Sequence, residues 1–287
     1  MSVPMANQSM PADQPRAIVV GVDGSDCALG AVRWAAREAV RRGAPLRILH
    51  AAEYLGHQDG AGTPSPALPR ARAITAKGYT IARHAAHDVS ASTEVVSADP
   101  TTALLRAAAD SQLVVLGSST TGAADELVFA STALHVSARS PAPVVLVPRP
   151  RGRTSATRPV AAVLDGNDRE DDAVATFAAD AARASGTPLL LLQTARRNEG
   201  RALPEWSERL PGVDITVTDL PGATPTQLLA AVCPSPLVVL STGSGGLLHR
   251  SLDGPHRWLL RHCTSPMALV PPPGRSTQLA AEAAAAG

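Results

Sequence analysis

The sequence predicts an α/β protein built from two tandem five-stranded, parallel, doubly wound (Rossmann-like) sheets. Three observations predict it. Short Val/Ile/Leu-rich runs alternate with stretches of helical periodicity, a pattern that requires parallel strands joined by crossover helices. The run Leu113-Val114-Val115-Leu116 recurs as Leu237-Val238-Val239-Leu240, 124 residues later, which marks an internal repeat. Two more echoes keep the same order: Val22-Asp23-Gly24-Ser25 with Leu164-Asp165-Gly166-Asn167, and Pro143-Val144-Val145-Leu146-Val147-Pro148 with Pro266-Met267-Ala268-Leu269-Val270-Pro271.

In the first copy, Ile18–Val22 is an apolar run too short for a helix and rich in Val, as a strand buried on both faces should be. A helix follows. Ser25 or Asp26 can accept from its free N–H groups, Leu29, Val32, Ala36 and Val40 recur at helical spacing, and Gly43 provides the stop. Leu46–Ala51 is the second strand, followed by a Gly/Pro-rich loop and a helix over about Arg70–His87. Strand Thr93–Ser97, helix Thr101–Ala109, strand Leu113–Leu116, a long polar loop, helix Ser131–Arg139 and strand Val144–Val147 complete the unit. The second copy repeats the order with Val160–Leu164, Asp171–Ser185, Pro188–Gln193, Val213–Thr218, Thr224–Val232, Leu237–Leu240, His256–Arg261 and Ala268–Val270. It is 18 residues shorter between its first and fourth strands, leaving space for one short helix around Trp206. The expected divisions are a flexible N-terminal segment 1–15, a first domain 16–148, a polar, proline-bearing linker 149–158, a shortened second domain 159–271 and a disordered Ala/Pro tail 272–287.

Composition removes several function classes. Of the 287 residues, 45% are hydrophobic and 18% charged, which supports a sizeable core and argues against wholesale disorder. With 26 basic and 25 acidic residues the net charge is +1, so the totals demand no nucleic-acid partner. Cys27, Cys233 and Cys263 are far apart in the sequence and form no C-x-x-C pair, which argues against a disulfide framework or a thiolate zinc site. The eight histidines show no metal-ligand spacing beyond the neighbours His262-Cys263, so no metal is expected. Met1–Gln14 lacks a basic region followed by an apolar core, and no apolar run approaches the ~18 residues of a membrane span. A cytoplasmic protein without a membrane partner is expected.

In an open parallel α/β sheet, ligands bind beyond the carboxyl ends of the strands. Asp23 and Asp165 stand there, as hydrogen-bond acceptors for a ribose hydroxyl or amino group, or as ordinary turn and cap residues. Gly117-Ser118-Ser119-Thr120-Thr121-Gly122 follows the fourth strand and leads towards Ser131-Thr132 at a helix start. Such a run offers backbone N–H groups to phosphate oxygens, or is a solvated loop. Cys27, at a helix N-terminus, is read as a small packing residue more readily than as a redox thiol.

The Val-Asp-Gly-Ser strand end, the loop after Leu-Val-Val-Leu-Gly and the closing proline-flanked strand, in this order and twice, resemble the universal stress protein family, with actinobacterial tandem members most similar. The resemblance covers about residues 16–148 and 159–271. It implies ATP or a related adenine nucleotide, with Mg²⁺ accompanying a triphosphate, and no efficient turnover. It also implies that Gly21, Asp23 and Ala51 face adenine and ribose, that Gly117–Gly122 face ribose and phosphates, and that Ala130, Ser131 and Thr132 lie at the phosphate tail. The family's ATP-binding spacing falls on Gly117, Thr120, Ala130 and Ser131, so two of its three glycines are replaced in the first copy. A Cβ at such a position adds strain or a clash where positive φ or close approach is required. In the second copy the matching set is Asp165, Ser241, Gly243, Ser244 and Gly254, with Pro255 in place of the hydroxyl residue. Family members pair through their last strands, which implies that Val144–Val147 and Ala268–Val270 join the two copies within the chain and leaves a homodimer open.

Two functions from different classes follow: a nucleotide-binding stress-response regulator working mainly through the first copy, and a nucleotide-free interaction module acting through an unknown protein partner. An adenine-nucleotide-using enzyme of a related fold would need a Ser-Gly-Gly loop after the first strand, where this chain has Val22-Asp23-Gly24-Ser25.

Overall fold

The computed structural model describes residues 15–53, 67–118, 127–149, 158–195, 203–233, 235–243 and 255–274. Strands and helices alternate through them. The first half runs β1 (Ala17–Gly21), α1 (Asp26–Arg41), β2 (Leu46–Ala51), α2 (Ala67–Ala85), β3 (Ala91–Val96), α3 (Pro100–Ala109), β4 (Ser111–Ser118), α4 (Leu127–Arg139) and β5 (Val144–Pro148). The second runs β6 (Val160–Leu164), α5 (Asp168–Ser185), β7 (Leu189–Gln193), α6 (Leu203–Arg209), β8 (Ile215–Asp219), α7 (Pro225–Val232), β9 (Val238–Ser241), α8 (Pro255–His262) and β10 (Met267–Val270). The expected N-terminal segment, linker and tail fall mostly outside the described residues.

The two five-stranded units merge into one ten-stranded sheet of order β3-β2-β1-β4-β5-β10-β9-β6-β7-β8. Within each half neighbouring strands are parallel, and the halves meet at the antiparallel pair β5 and β10, where Leu146, Val145 and Val144 oppose Met267, Ala268 and Leu269. Every residue of both strands is buried, so each half supplies the cover that the other's edge strand needs. Helices α1, α2, α5 and α6 pack on one face, where Ile18, Val32, Leu46, Ala178, Leu191 and Trp206 share a core. The opposite face carries α3, α4, α7 and α8 around Leu104, Val136, Leu228, Leu240 and Leu259. Arg42, just past α1, places its guanidinium 5.1 Å from the centre of the Phe177 ring on α5, a cation–π contact between the halves.

Local signals explain most helix boundaries. The Ser25 side chain accepts from the Ala28 N–H at 3.2 Å, and Asp26 adds negative charge at the positive end of α1. Ser25→Ala is expected to cost about 1 kcal/mol of stability, read as a lower urea midpoint at unchanged slope. Helix α5 starts at Asp168, earlier than the expected Asp171, because Asn167 stands at the cap position and Asp168, Glu170 and Asp171 favour its first turn. Helix α2 likewise covers Ala67–Ala85 in place of Arg70–His87.

Candidate functional site

Each half reverses its strand order between its first and fourth strands, β1 against β4 and β6 against β9, and so opens a crevice beyond their carboxyl ends. In the first half β1 delivers Gly21 and then Asp23 to this edge, β2 delivers Ala51, and β4 delivers Gly117 and Ser118. Asp23 Oδ1 accepts the Ser25 N–H at 2.8 Å, and Gly24 takes φ 91°, a conformation open to glycine, to turn the chain into α1. The turn reading of Asp23 is therefore the one seen in the structure. One carboxylate oxygen organises the turn, and the other has no partner among the described residues.

Gly117 is needed for packing. It lies inside β4, opposite Val147, and a Cβ there would stand 2.5 Å from the Cys27 carbonyl carbon and 2.6 Å from the Ala28 nitrogen. The first turn of α1 thus rests on the bare backbone at the end of β4. Gly21 is similarly enclosed, since its Cβ would lie 2.7 Å from Leu116 Cδ2. Ala51 is half-buried against the α3 side of the core.

Two expectations need correction. The strand read as Leu113–Leu116 extends over Ser111–Ser118, so Gly117 and Ser118 are strand residues. The helix read as starting at Ser131 begins at Leu127, because Leu127-Val128-Phe129-Ala130 continues its apolar helical pattern backwards. Ser131 and Thr132 are therefore its fifth and sixth residues, and the unpaired N–H groups of its first turn belong to the chain before them. Ser119, Thr120, Thr121 and Gly122 lie outside the described residues, and Ala130 is placed on α4.

The second half fills the corresponding positions. Val163 stands where the first half has Gly21, and by strand register Thr194 follows β7 where Ala51 ends β2. The Thr194 hydroxyl lies 3.0 Å from both Asp165 Oδ1 and the Leu164 carbonyl. The backbone N–H groups of Asp165 and Gly166 donate to the Asp171 carboxylate, both at 3.0 Å. Ser241, at the Gly117 position, is buried, donates to Glu170 Oε2 at 2.5 Å and accepts from the Gly243 N–H at 2.9 Å. Glu170 occupies the place of Ala28, so a serine–glutamate bond replaces the bare contact between helix and strand. Ser241→Ala is expected to lower stability by about 1–3 kcal/mol, measured by chemical denaturation, because it removes a donor from a buried carboxylate. Ser244 and Gly254 lie outside the described residues. Pro255 opens α8, where its missing N–H costs nothing.

The sequence reading missed one cluster. Cys233 and Cys263, distant in the chain, bring their Sγ atoms to 2.9 Å. Each follows a helix of the α3-side layer, α7 and α8, and the two crossovers return their ends to one corner. The hydrogen bond from Cys263 brings the Cys233 thiol down to about 6 against the opposing effect of burial, while the same bond and burial push Cys263 upward.

The architecture defines the class: a doubly wound α/β protein with a crevice at each strand-order reversal. Residues 15–148 match the model of the Universal stress protein family. A universal stress protein of Mycobacterium tuberculosis is 27% identical over 277 residues, which cover 90% of this chain and 96% of that protein. The crystal structure of a universal stress protein from Archaeoglobus fulgidus aligns at TM-score 0.72 and 15% identity, over 90% of this chain and 97% of its own. A universal stress protein solved in complex with cAMP is 26% identical, covers 47% of this chain and 97% of its own, and aligns at TM-score 0.38. The first half of the chain thus matches the universal stress protein family model, and the chain along most of its length is similar to universal stress proteins. Among the described residues no helix is long and apolar enough to cross a membrane.

Proposed function

We propose that this chain binds one adenine nucleotide, ATP or a close relative, in its first half and acts as a cytoplasmic stress-response regulator without efficient turnover. One contrast carries the reading. Asp23 keeps a carboxylate oxygen without a described protein partner at a strand edge where the adjacent strand ends in Ala51, while its counterpart Asp165 is held by Thr194. Asp23 would accept from a ribose hydroxyl or the adenine amino group, and the small side chain of Ala51 would leave room for the base, while Gly21 packs against Leu116 beneath them. The segment from Gly117 and Ser118 towards α4 would follow the ribose and phosphates, with Ser131 and Thr132 offering hydroxyls further along. Mg²⁺ would accompany a triphosphate only.

Calorimetric titration with Mg-ATP, ADP and AMP tests this. Saturation at one site per chain, with no phosphate release above buffer during prolonged incubation with ATP, supports it. Absence of any heat at millimolar nucleotide overturns it and favours the second reading, a nucleotide-free module that works through a protein partner. That reading draws on Thr120 and Ala130 standing at the family's glycine positions, and on the Ser241–Glu170 and Thr194–Asp165 bonds occupying the second crevice.

A further inference from the structure

We propose that Cys233 and Cys263 form a hydroperoxide-responsive dithiol, in which Cys233 is the attacking sulfur and Cys263 the resolving one. The pair is already assembled: the Sγ atoms touch at 2.9 Å, and closing a disulfide requires them to approach by roughly a further ångström. Exposure divides the roles. Cys233 is partly exposed, whereas Cys263 is fully buried and reaches Cys233 from within. The Ser265 hydroxyl, 3.9 Å from the Cys233 sulfur, adds a second donor towards it. These contacts stabilise negative charge on Cys233, consistent with its pKa lying below that of an ordinary thiol, at about 6.

Packing alone does not call for sulfur here. The first half builds the same corner with Ala109 ending α3 and Ser140 following α4, where the Ser140 hydroxyl donates to the Ala142 carbonyl at 2.6 Å. Two facing thiols are thus a feature that the second half has and the first lacks. Cys27, the remaining cysteine, lies in α1 on the other layer.

The chemistry balances with a hydroperoxide as the oxidant. The Cys233 thiolate attacks the terminal oxygen, the O–O bond breaks, and the departing alkoxide or hydroxide takes a proton, leaving Cys233 as a sulfenic acid. The Cys263 sulfur then attacks Cys233, the S–O bond breaks, and hydroxide leaves as water with the Cys263 proton. Two thiols and one hydroperoxide become one disulfide, one alcohol (or water) and one water, with two electrons passing from sulfur to oxygen. The product ties the end of α7 to the end of α8 on either side of β9.

The test uses the reduced full-length chain, freed of reductant and exposed to hydrogen peroxide from equimolar to tenfold excess. Thiol counting, intact mass and non-reducing peptide mapping are the readouts. The expected result is loss of two of the three thiols together, a single Cys233–Cys263 cross-linked peptide in monomeric chain, and full recovery with dithiothreitol. In Cys263→Ser, dimedone is expected to trap a sulfenic acid at Cys233; in Cys233→Ser, Cys263 is expected to stay alkylatable on denaturation. If the variants fail to fold, the wild-type peptide map alone decides. Persistence of both thiols at tenfold peroxide overturns the proposal, as do oxidation confined to Cys27 and disulfides formed only between chains.

Discussion

Asp23→Ala is expected to weaken adenine-nucleotide binding about ten- to hundredfold, while Asp165→Ala leaves it unchanged. The difference follows from what each carboxylate already does. A hydrogen bond accepted by a charged oxygen contributes about 1.5–3 kcal/mol, and each 1.4 kcal/mol is tenfold in affinity. Asp23 has an oxygen available for such a bond, whereas Asp165 meets the Thr194 hydroxyl. The fold tolerates the Asp23 change because Ser25 still caps α1 through Ala28. Equilibrium dialysis of the two variants against Mg-ATP, with far-ultraviolet circular dichroism confirming the fold, measures it. Equal losses from both variants would remove the asymmetry between the halves.

Gly117→Val is expected to destabilise the chain by about 3 kcal/mol, the upper end of typical overpacking costs. The new Cβ meets backbone of α1, at Cys27 and Ala28, and not the yielding end of a side chain. Relief requires lifting the first turn of α1 away from β4, which also disturbs the turn that carries Asp23. Gly43→Ala is the control, since nothing lies within 4 Å of its added Cβ and only the φ of 59° is strained. That strain costs about 1 kcal/mol. Denaturant midpoints of the two variants separate steric exclusion from backbone preference. A Gly117→Val chain as stable as Gly43→Ala would show that α1 can move off β4 freely.

Much of this fold is legible in the sequence because strands buried on both faces must be continuously apolar. Leu113–Leu116 and Leu237–Leu240 therefore stand out wherever they occur. The end of β4 is different: Gly117 and Ser118 carry no strand signal of their own, and what keeps them in the ladder is the pairing with Val147 and Pro148. The start of α4 was hidden for a related reason, because Leu127-Val128-Phe129 adjoins a long polar stretch. In the crevice, spacing between repeats locates both aspartates, but the partner of Ala51 depends on strand register. Counting from Asp23 and Asp165 points to Gln193, whereas the pairing of β6 with β7 selects Thr194, on the opposite face of the strand. The contact between Cys233 and Cys263 is further from reach, since it exists only once two crossovers have returned to one corner of the same layer.

Native mass spectrometry at about 1 mM Mg-ATP, a concentration at which millimolar sites still register, tests nucleotide binding by the first half most directly. One nucleotide per chain, lost in Asp23→Ala and kept in Asp165→Ala, is the predicted result. Two nucleotides per chain, or none, would contradict it.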